Sequence, residues 1–156
     1  MSKILGKLNR KKFESTTDQQ SAIIEEVIVL IAGADYLDLT PRQRVAQLVL
    51  FYDNEVCNGG HLQYFHNQGM TYAAELLRAL EEIGARCERE IFAKASEYAL
   101  ANPVEPVSTL QEYHERARER EFEKLDRAYY KCRPSLGRDL LPEFIQKHLH
   151  EFIEFE

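Results

Sequence analysis

The sequence predicts an all-α protein, folded as a single compact domain of six to eight helices. Apolar residues recur at intervals of three and four along most of the chain, whereas the alternating pattern of strands is nearly absent. Glycine and proline signals separate these periodic segments. With 156 residues, and without an internal repeat or a long linker, the chain is expected to bury one core of its own.

The first two helices are predicted from their apolar stripes and from the residues that flank them. Isoleucine, valine and leucine spacing over 18–31 predicts a first helix, and Gly33 marks its exit. Thr40 followed by Pro41 is an N-cap with proline at the first helical position, which predicts where the second helix begins. That helix is expected to stop at Asn58, before two glycines.

Five further helices are predicted after this break. A short helix ends at Gly69, and a fourth helix ends at Gly84, which takes the C′ position. The fifth helix covers about 86–101. A long sixth helix, capped by Ser108 or Thr109, is expected to run to about Cys132, and the apolar pattern of 140–155 predicts a last amphipathic helix.

Charge is distributed unevenly along the chain. The net charge is −6, but residues 1–12 carry +5 and the remainder carries −11. Residues 1–15 are therefore expected to form a flexible basic arm, and residues 16–156 the all-α domain. An acidic body repels nucleic acid, so direct nucleic-acid binding is not expected.

The cysteine and hydropathy patterns predict a cytoplasmic protein without cofactor or metal. Cys57, Cys87 and Cys132 are odd in number and widely scattered, which predicts reduced thiols rather than a disulfide framework or a C-x-x-C metal site. His61 and His66 are five apart, a poor spacing for joint metal binding on one helix. No apolar run approaches the roughly 20 residues that span a bilayer, so no membrane association is expected.

The most informative segment is the break after the second helix, which reads Glu55-Val56-Cys57-Asn58-Gly59-Gly60-His61-Leu62-Gln63-Tyr64-Phe65-His66-Asn67-Gln68-Gly69. Gln63 and Asn67 are four apart and share one helical face, where their amides can hydrogen-bond to Glu55. Because buried polar groups need partners, the favoured interpretation is a structural polar corner. A small ligand pocket is the alternative, lined by Glu55, Asn58, Gln63, Tyr64 and Asn67.

This segment also resembles a known family. The pattern Glu-x-x-Asn-Gly-Gly-x-x-Gln-Tyr-Phe-x-Asn, followed by Leu80-Glu81-Glu82-Ile83-Gly84-Ala85 and by Leu125-Asp126-Arg127-Ala128-Tyr129-Tyr130, is similar to a bacterial family of small helical domains. The resemblance runs from about residue 21 to residue 150. The best-known member of that family is a DNA mimic, which presents carboxylates in place of DNA phosphates to a DNA-binding protein. The resemblance therefore implies an all-α fold and mimicry toward a transcriptional regulator or a nucleoid protein.

A row of carboxylates in the sixth helix is the candidate partner-binding surface. Steps of three or four separate its members, which fall within roughly 80° of arc and extend about 21 Å: Glu112, Glu115, Glu119, Glu123 and Asp126. Glu75, Glu82 and Glu90 would widen this acidic surface if their helices packed alongside. The alternative is a solvated helix stabilised by ion pairs, because Arg116, Arg120, Lys124 and Arg127 form a neighbouring stripe.

These observations predict a non-enzymatic interaction protein whose acidic helical surface binds a basic protein, such as a DNA-binding transcription factor or a nucleoid protein. One alternative is a small ligand-binding domain or enzyme centred on Glu55, Gln63 and Asn67. Another is an immunity or antitoxin-like protein that neutralises a basic effector through the same surface. A homodimer is also open, because the apolar stripe of the last helix can pack in the core or against a second copy.

Overall fold

The chain folds into helices that begin and end close to the predicted signals. The computed structural model describes residues 3–103, 109–117 and 120–156. Within them lie seven α-helices and two short strands, which confirms the predicted fold class. They are β1 (Gly6–Leu8), α1 (Gln19–Gly33), α2 (Pro41–Gln68), α3 (Ala73–Glu82), α4 (Arg86–Ala101), α5 (Leu110–Ala117), α6 (Arg120–Lys131), α7 (Leu141–Lys147) and β2 (Ile153–Phe155).

Helix α2 is the central element, and it bends at the glycine pair. Thr40 forms a capping box with Gln43 at its N-terminus, and Pro41 occupies the first turn as predicted. Gly59 and Gly60 leave the helical conformation, and Gly60 has a φ of 73°. The predicted second and third helices are therefore the two arms of one bent helix.

The other helices pack around α2. Helices α1, α3, α6 and α7 all contact it, and α4 packs against both α3 and α6. The fully buried side chains include Tyr52, Phe92, Phe122 and Ile145. Helix α4 therefore has α3 and α6 as neighbours, a packing that the sequence left open.

The two chain ends differ from the predictions. The last helix is not continuous to residue 155: α7 ends at Lys147, a 3-10 turn covers Leu149–Glu151, and β2 follows. Strand β2 pairs in parallel with β1, with Gly6 opposite Ile153. The expected flexible arm therefore contains an ordered strand, because its backbone finds hydrogen-bond partners in the last residues of the chain. Phe13, in the 3-10 turn after β1, is also buried.

The apolar residues of the C-terminal segment lie mainly in the core of the protein. Leu141, Phe144, Ile145, Phe152 and Ile153 are all buried within this one chain. Their stripe was the sequence feature that left a homodimer open. It is accounted for by packing inside the domain, so it gives no separate support for a second copy.

The described part of the predicted sixth helix consists of α5 and α6, and residues 118–119 between them lie outside the described residues. The Thr109 hydroxyl accepts a hydrogen bond from the backbone N–H of Glu112 at 3.1 Å, which confirms the cap at the start of α5.

The prediction of three reduced thiols is wrong for two of the cysteines. Cys87 and Cys132 form a disulfide, whereas Cys57 is free. Packing of α4 against α6 brings together two residues that are 45 positions apart in the sequence.

Candidate functional site

The glycine corner of α2 joins three polar side chains around one carboxylate. Glu55 Oε2 accepts hydrogen bonds from Gln63 Nε2 at 2.7 Å and from Asn67 Nδ2 at 2.9 Å. The Asn58 amide donates to Gln63 Oε1 at 3.1 Å. Each arm of the bent helix thus contributes to one hydrogen-bonded cluster, and the polar groups partner one another rather than line an empty pocket.

Directly inside this corner lies a buried histidine. His61 is 0% exposed. The backbone N–H of His61 donates a hydrogen bond to Asp126 Oδ1 at 2.9 Å, and the ring Nδ1 of His61 donates to the same oxygen at 2.6 Å. A carboxylate accepts hydrogen bonds, so Nδ1 carries the proton, and Nε2 then accepts from the Tyr52 hydroxyl at 2.8 Å. Asp126 therefore connects α6 to the first turn after the α2 bend.

A second carboxylate supports the same region from α2. Asp53 accepts a hydrogen bond from the Tyr129 hydroxyl, and burial raises the pKa of Tyr129 well above its ordinary value, with the charge of Asp53 adding to the effect. Burial also raises the pKa of Tyr52. Both phenols therefore stay protonated at neutral pH and act as hydrogen-bond donors, which stabilises the packing of α6 on α2.

A cleft of about 510 Å³ opens beside this network, lined by Asp53, Cys57, Tyr129, Tyr130, Arg133, Ser135, Leu136, Gly137, Arg138 and Asp139. Its thiol is not activated. Burial, reinforced by Asp53, raises the pKa of Cys57 to about 11, so the thiol is protonated at neutral pH and is a poor nucleophile.

The predicted carboxylate row is divided by the structure. Glu115 is exposed on α5, and its carboxylate accepts from the Gln111 amide at 3.3 Å. Glu123 is 43% exposed on α6 and pairs with Arg127. Asp126 is only 22% exposed because it turns inward to His61, so it does not belong to the surface row. Glu112 lies on the exposed side of α5, and Glu119 lies outside the described residues.

The carboxylates predicted to widen this row all form surface ion pairs. Glu75 pairs with Arg78 at 3.7 Å, Glu82 with Arg42 at 3.1 Å and Glu90 with Arg86 at 3.4 Å. All three carboxylates are more than two-fifths exposed. Exposed pairs of this kind are worth only about 0–1 kcal/mol, so their carboxylates remain available to another cation.

Comparison with known proteins gives one family. The model of the DMP19-like proteins matches residues 37–148, which is well over half of the chain. The chain belongs to the DMP19-like family. This confirms the resemblance that the sequence indicated, to a family of small helical domains whose best-known member is a DNA mimic. No curated protein and no solved structure matches the chain.

The part of the chain that matches the DMP19-like family holds α2 to α7, and with them the corner, the His61–Asp126 pair and the disulfide. It does not include α1, β1 or β2. No helix in the described ranges is long and apolar enough to cross a membrane.

Sequence reasoning missed the role of two residues in this region. His61 was weighed only as a metal ligand and Asp126 only as a surface acid, although both lie in segments that carry the family resemblance. Tyr64 was offered as a possible pocket residue, but the core was favoured for it over a base-stacking platform. It is 3% exposed and packs edge-on against Tyr52 and Phe92 in the core. One sequence feature could have indicated the role of His61: it directly follows a glycine pair, and glycine lets another backbone or side chain approach closely.

Replacing Glu55 by alanine should lower the free energy of unfolding by about 1–2 kcal/mol, because Gln63 and Asn67 each lose their shared acceptor. Denaturant unfolding measures this loss. Asn54→Ala is the matched control, since Asn54 is an exposed neighbour on the same helix and should change stability by less than about 0.5 kcal/mol. A Glu55→Ala protein as stable as the control would contradict the structural assignment of the corner and favour a ligand site.

Proposed function

We propose that this protein is a non-enzymatic DNA mimic, which binds a DNA-binding protein at the surface that otherwise contacts DNA. Membership of the DMP19-like family is the observation on which the proposal rests. The acidic body supports it, because residues 13–156 carry a net charge of −11. The proposed partner is a DNA-binding regulator or a nucleoid protein, which presents the complementary basic surface. The proposed location of the complex is the bacterial cytoplasm.

Helices α3, α4 and α6, together with α5, supply the proposed binding surface. Because α4 packs against both α3 and α6, the exposed carboxylates of three helices lie on neighbouring elements. We call this the acidic surface, and its members among the described residues are Glu75, Glu82, Glu90, Glu112, Glu115 and Glu123. Glu119 is included on its sequence position alone.

Ion pairs within the acidic surface determine how binding should depend on salt. Glu123, Glu75 and Glu90 already pair with arginines on their own helices. A partner's lysines and arginines must share or replace these weak contacts. Binding should therefore be driven by many weak attractions between exposed charges. Because salt screens such attractions, binding should weaken steeply as the salt concentration rises.

A pull-down followed by competition tests the proposal. The tagged protein is incubated with a nuclease-treated lysate of its native host, washed at low salt and eluted at high salt. The captured protein is then purified and titrated by fluorescence anisotropy, with duplex DNA as competitor. We expect a protein that binds DNA and that DNA displaces from this chain. A captured protein that binds DNA and this chain at the same time would contradict mimicry.

Changing Glu115 and Glu123 together to lysine should weaken binding of that partner by at least about tenfold, because two attractions become repulsions. The matched control is Glu14→Lys with Glu25→Lys, which changes the net charge equally. Both control residues are exposed, and Glu25 lies on α1, which packs against α2 and α7 rather than against the helices of the acidic surface.

The comparison of the two double variants separates a defined surface from net charge. Equal weakening by both pairs would show that only overall charge matters and would contradict the acidic surface. Unchanged binding by the Glu115 and Glu123 variant, with helicity retained in circular dichroism, would assign the partner to another face.

A further inference from the structure

Two cysteines and one carboxylate meet where α4 packs against the end of α6. One Sγ atom each from Cys87 and Cys132 and one carboxylate oxygen of Glu88 all lie within 4.8 Å of one another. Cys87 and Glu88 lie in the first turn of α4, and Cys132 directly follows α6. Reduction of the Cys87–Cys132 disulfide would turn the two sulfur atoms into thiolates. Two thiolates beside a carboxylate form a ligand set that suits a thiophilic divalent cation.

The state of Glu88 is a second and independent indication of a ligand. Its side chain is 2% exposed, and its Oε1 has no hydrogen-bond partner among the described residues. A buried carboxyl oxygen without a partner is unfavourable unless a proton or a cation compensates it. One oxygen of the same carboxyl group lies near both sulfur atoms.

We propose that the reduced form of this protein binds a thiophilic divalent cation, such as Zn²⁺, through Cys87, Cys132 and Glu88. Two thiolates and one carboxylate leave a fourth tetrahedral position for water. Cys87 is exposed, and a cleft of about 450 Å³ lies beside the cluster, lined by Gly84, Arg86, Cys87, Glu88, Glu90, Arg133, Pro134 and Leu140. The cation can therefore enter from solvent, and the water ligand can remain there.

Charges around the cluster fit a bound cation. Two thiolates and a carboxylate with one divalent cation retain a single negative charge. Arg86 and Arg133 line the cleft, and Arg133 Nη1 donates to the backbone carbonyl of Cys132 at 2.7 Å. These guanidinium groups stabilise the remaining negative charge of the complex.

Metal binding and the disulfide exclude each other. A phosphine or dithiol reductant supplies two electrons, and the Cys87–Cys132 disulfide takes up two protons to give two thiols. The cation then replaces both thiol protons, which go to solvent, and forms two metal–sulfur bonds. A small-molecule disulfide can reverse the reaction by thiol–disulfide exchange: it takes up two electrons and two protons and leaves as two thiols, while the Cys87–Cys132 bond re-forms and the cation is released.

Cobalt titration of the full-length protein tests the site. The protein is reduced with a phosphine, desalted without oxygen and titrated with Co²⁺, whose charge-transfer absorption in the near-ultraviolet reports thiolate ligands. We expect one Co²⁺ per chain, displaced by Zn²⁺, and no such absorption from the oxidised protein. A reduced protein without cobalt–thiolate absorption would overturn the proposal.

Variants identify the ligands. Cys87→Ser and Cys132→Ser should abolish the absorption of a two-thiolate site, and Glu88→Gln should weaken binding at least about tenfold, since even residues that only support metal ligands matter by this much. Cys57→Ser is the matched control and should bind as the unaltered protein does, because Cys57 lies in the other cleft. Unchanged binding in Cys87→Ser, a surface position that should still fold, would refute the site. A Glu88→Gln protein with full affinity would remove the carboxylate from the ligand set.

Discussion

Replacing Asp126 by alanine is expected to lower the free energy of unfolding by about 2–4 kcal/mol, which is a large effect for a residue on the face of a charged helix. The substitution removes the acceptor of two hydrogen bonds to His61, whose side chain is 0% exposed. The backbone N–H and the imidazole Nδ1–H of His61 would both stay buried without a partner, and the contact of α6 with the bend in α2 would be lost.

Denaturant unfolding of Asp126→Ala beside Glu123→Ala measures this effect. Glu123 lies one turn earlier on α6, and its ion pair is with exposed Arg127. Its removal should cost no more than about 1 kcal/mol. Equal losses for the two variants would contradict the inward role of Asp126 and return it to the acidic surface.

Helical periodicity could not distinguish these two acids. Glu123 and Asp126 are three residues apart and so lie about 60° from each other on a helix, within one polar stripe. What separates them is the position of His61, which is 65 residues away in sequence. A contact of that range depends on how α6 is rotated against α2, and no local pattern in α6 encodes it.

Features determined by neighbouring residues were predictable from the sequence. The capping box of Thr40, the bend at Gly60 and the hydrogen bonds from Gln63 and Asn67 to Glu55 all join residues within 12 positions. Backbone conformation and helical spacing decide such contacts, so their chemistry can be derived before the fold is known.

Long-range features were not predictable in the same way. The strand that replaces the end of the last helix forms because Ile153 meets Gly6 from the other end of the chain. The helical pattern of its residues was real, but pairing with β1 and burial of Phe152 and Ile153 outweighed it. The Cys87–Cys132 pair and its neighbour Glu88 likewise depend on the packing of α4 against α6.

Replacing Gly60 by alanine should destabilise the protein by about 3–5 kcal/mol, the largest loss expected from any single methyl group added at the corner. Two effects contribute. Gly60 has φ 73° and ψ −174°, a conformation that is nearly confined to glycine. A β-carbon there would also lie 2.8 Å from Cγ of Asp126 and still closer to its Oδ2, so the carboxylate that holds His61 would have to move.

Gly69→Ala separates the two contributions. Gly69 also has a positive φ, of 56°, but a β-carbon added there meets nothing within 4 Å. It should therefore show only the backbone cost, about 1–3 kcal/mol, and the excess loss in Gly60→Ala reports the collision with Asp126. In the Asp126→Ala background that collision is absent, so the cost of Gly60→Ala should fall toward the Gly69→Ala value. If the losses in free energy of unfolding from the Gly60 and Asp126 substitutions were strictly additive, the glycine would be required for its backbone conformation alone. The close approach of α6 to the bend would then place no constraint on this position.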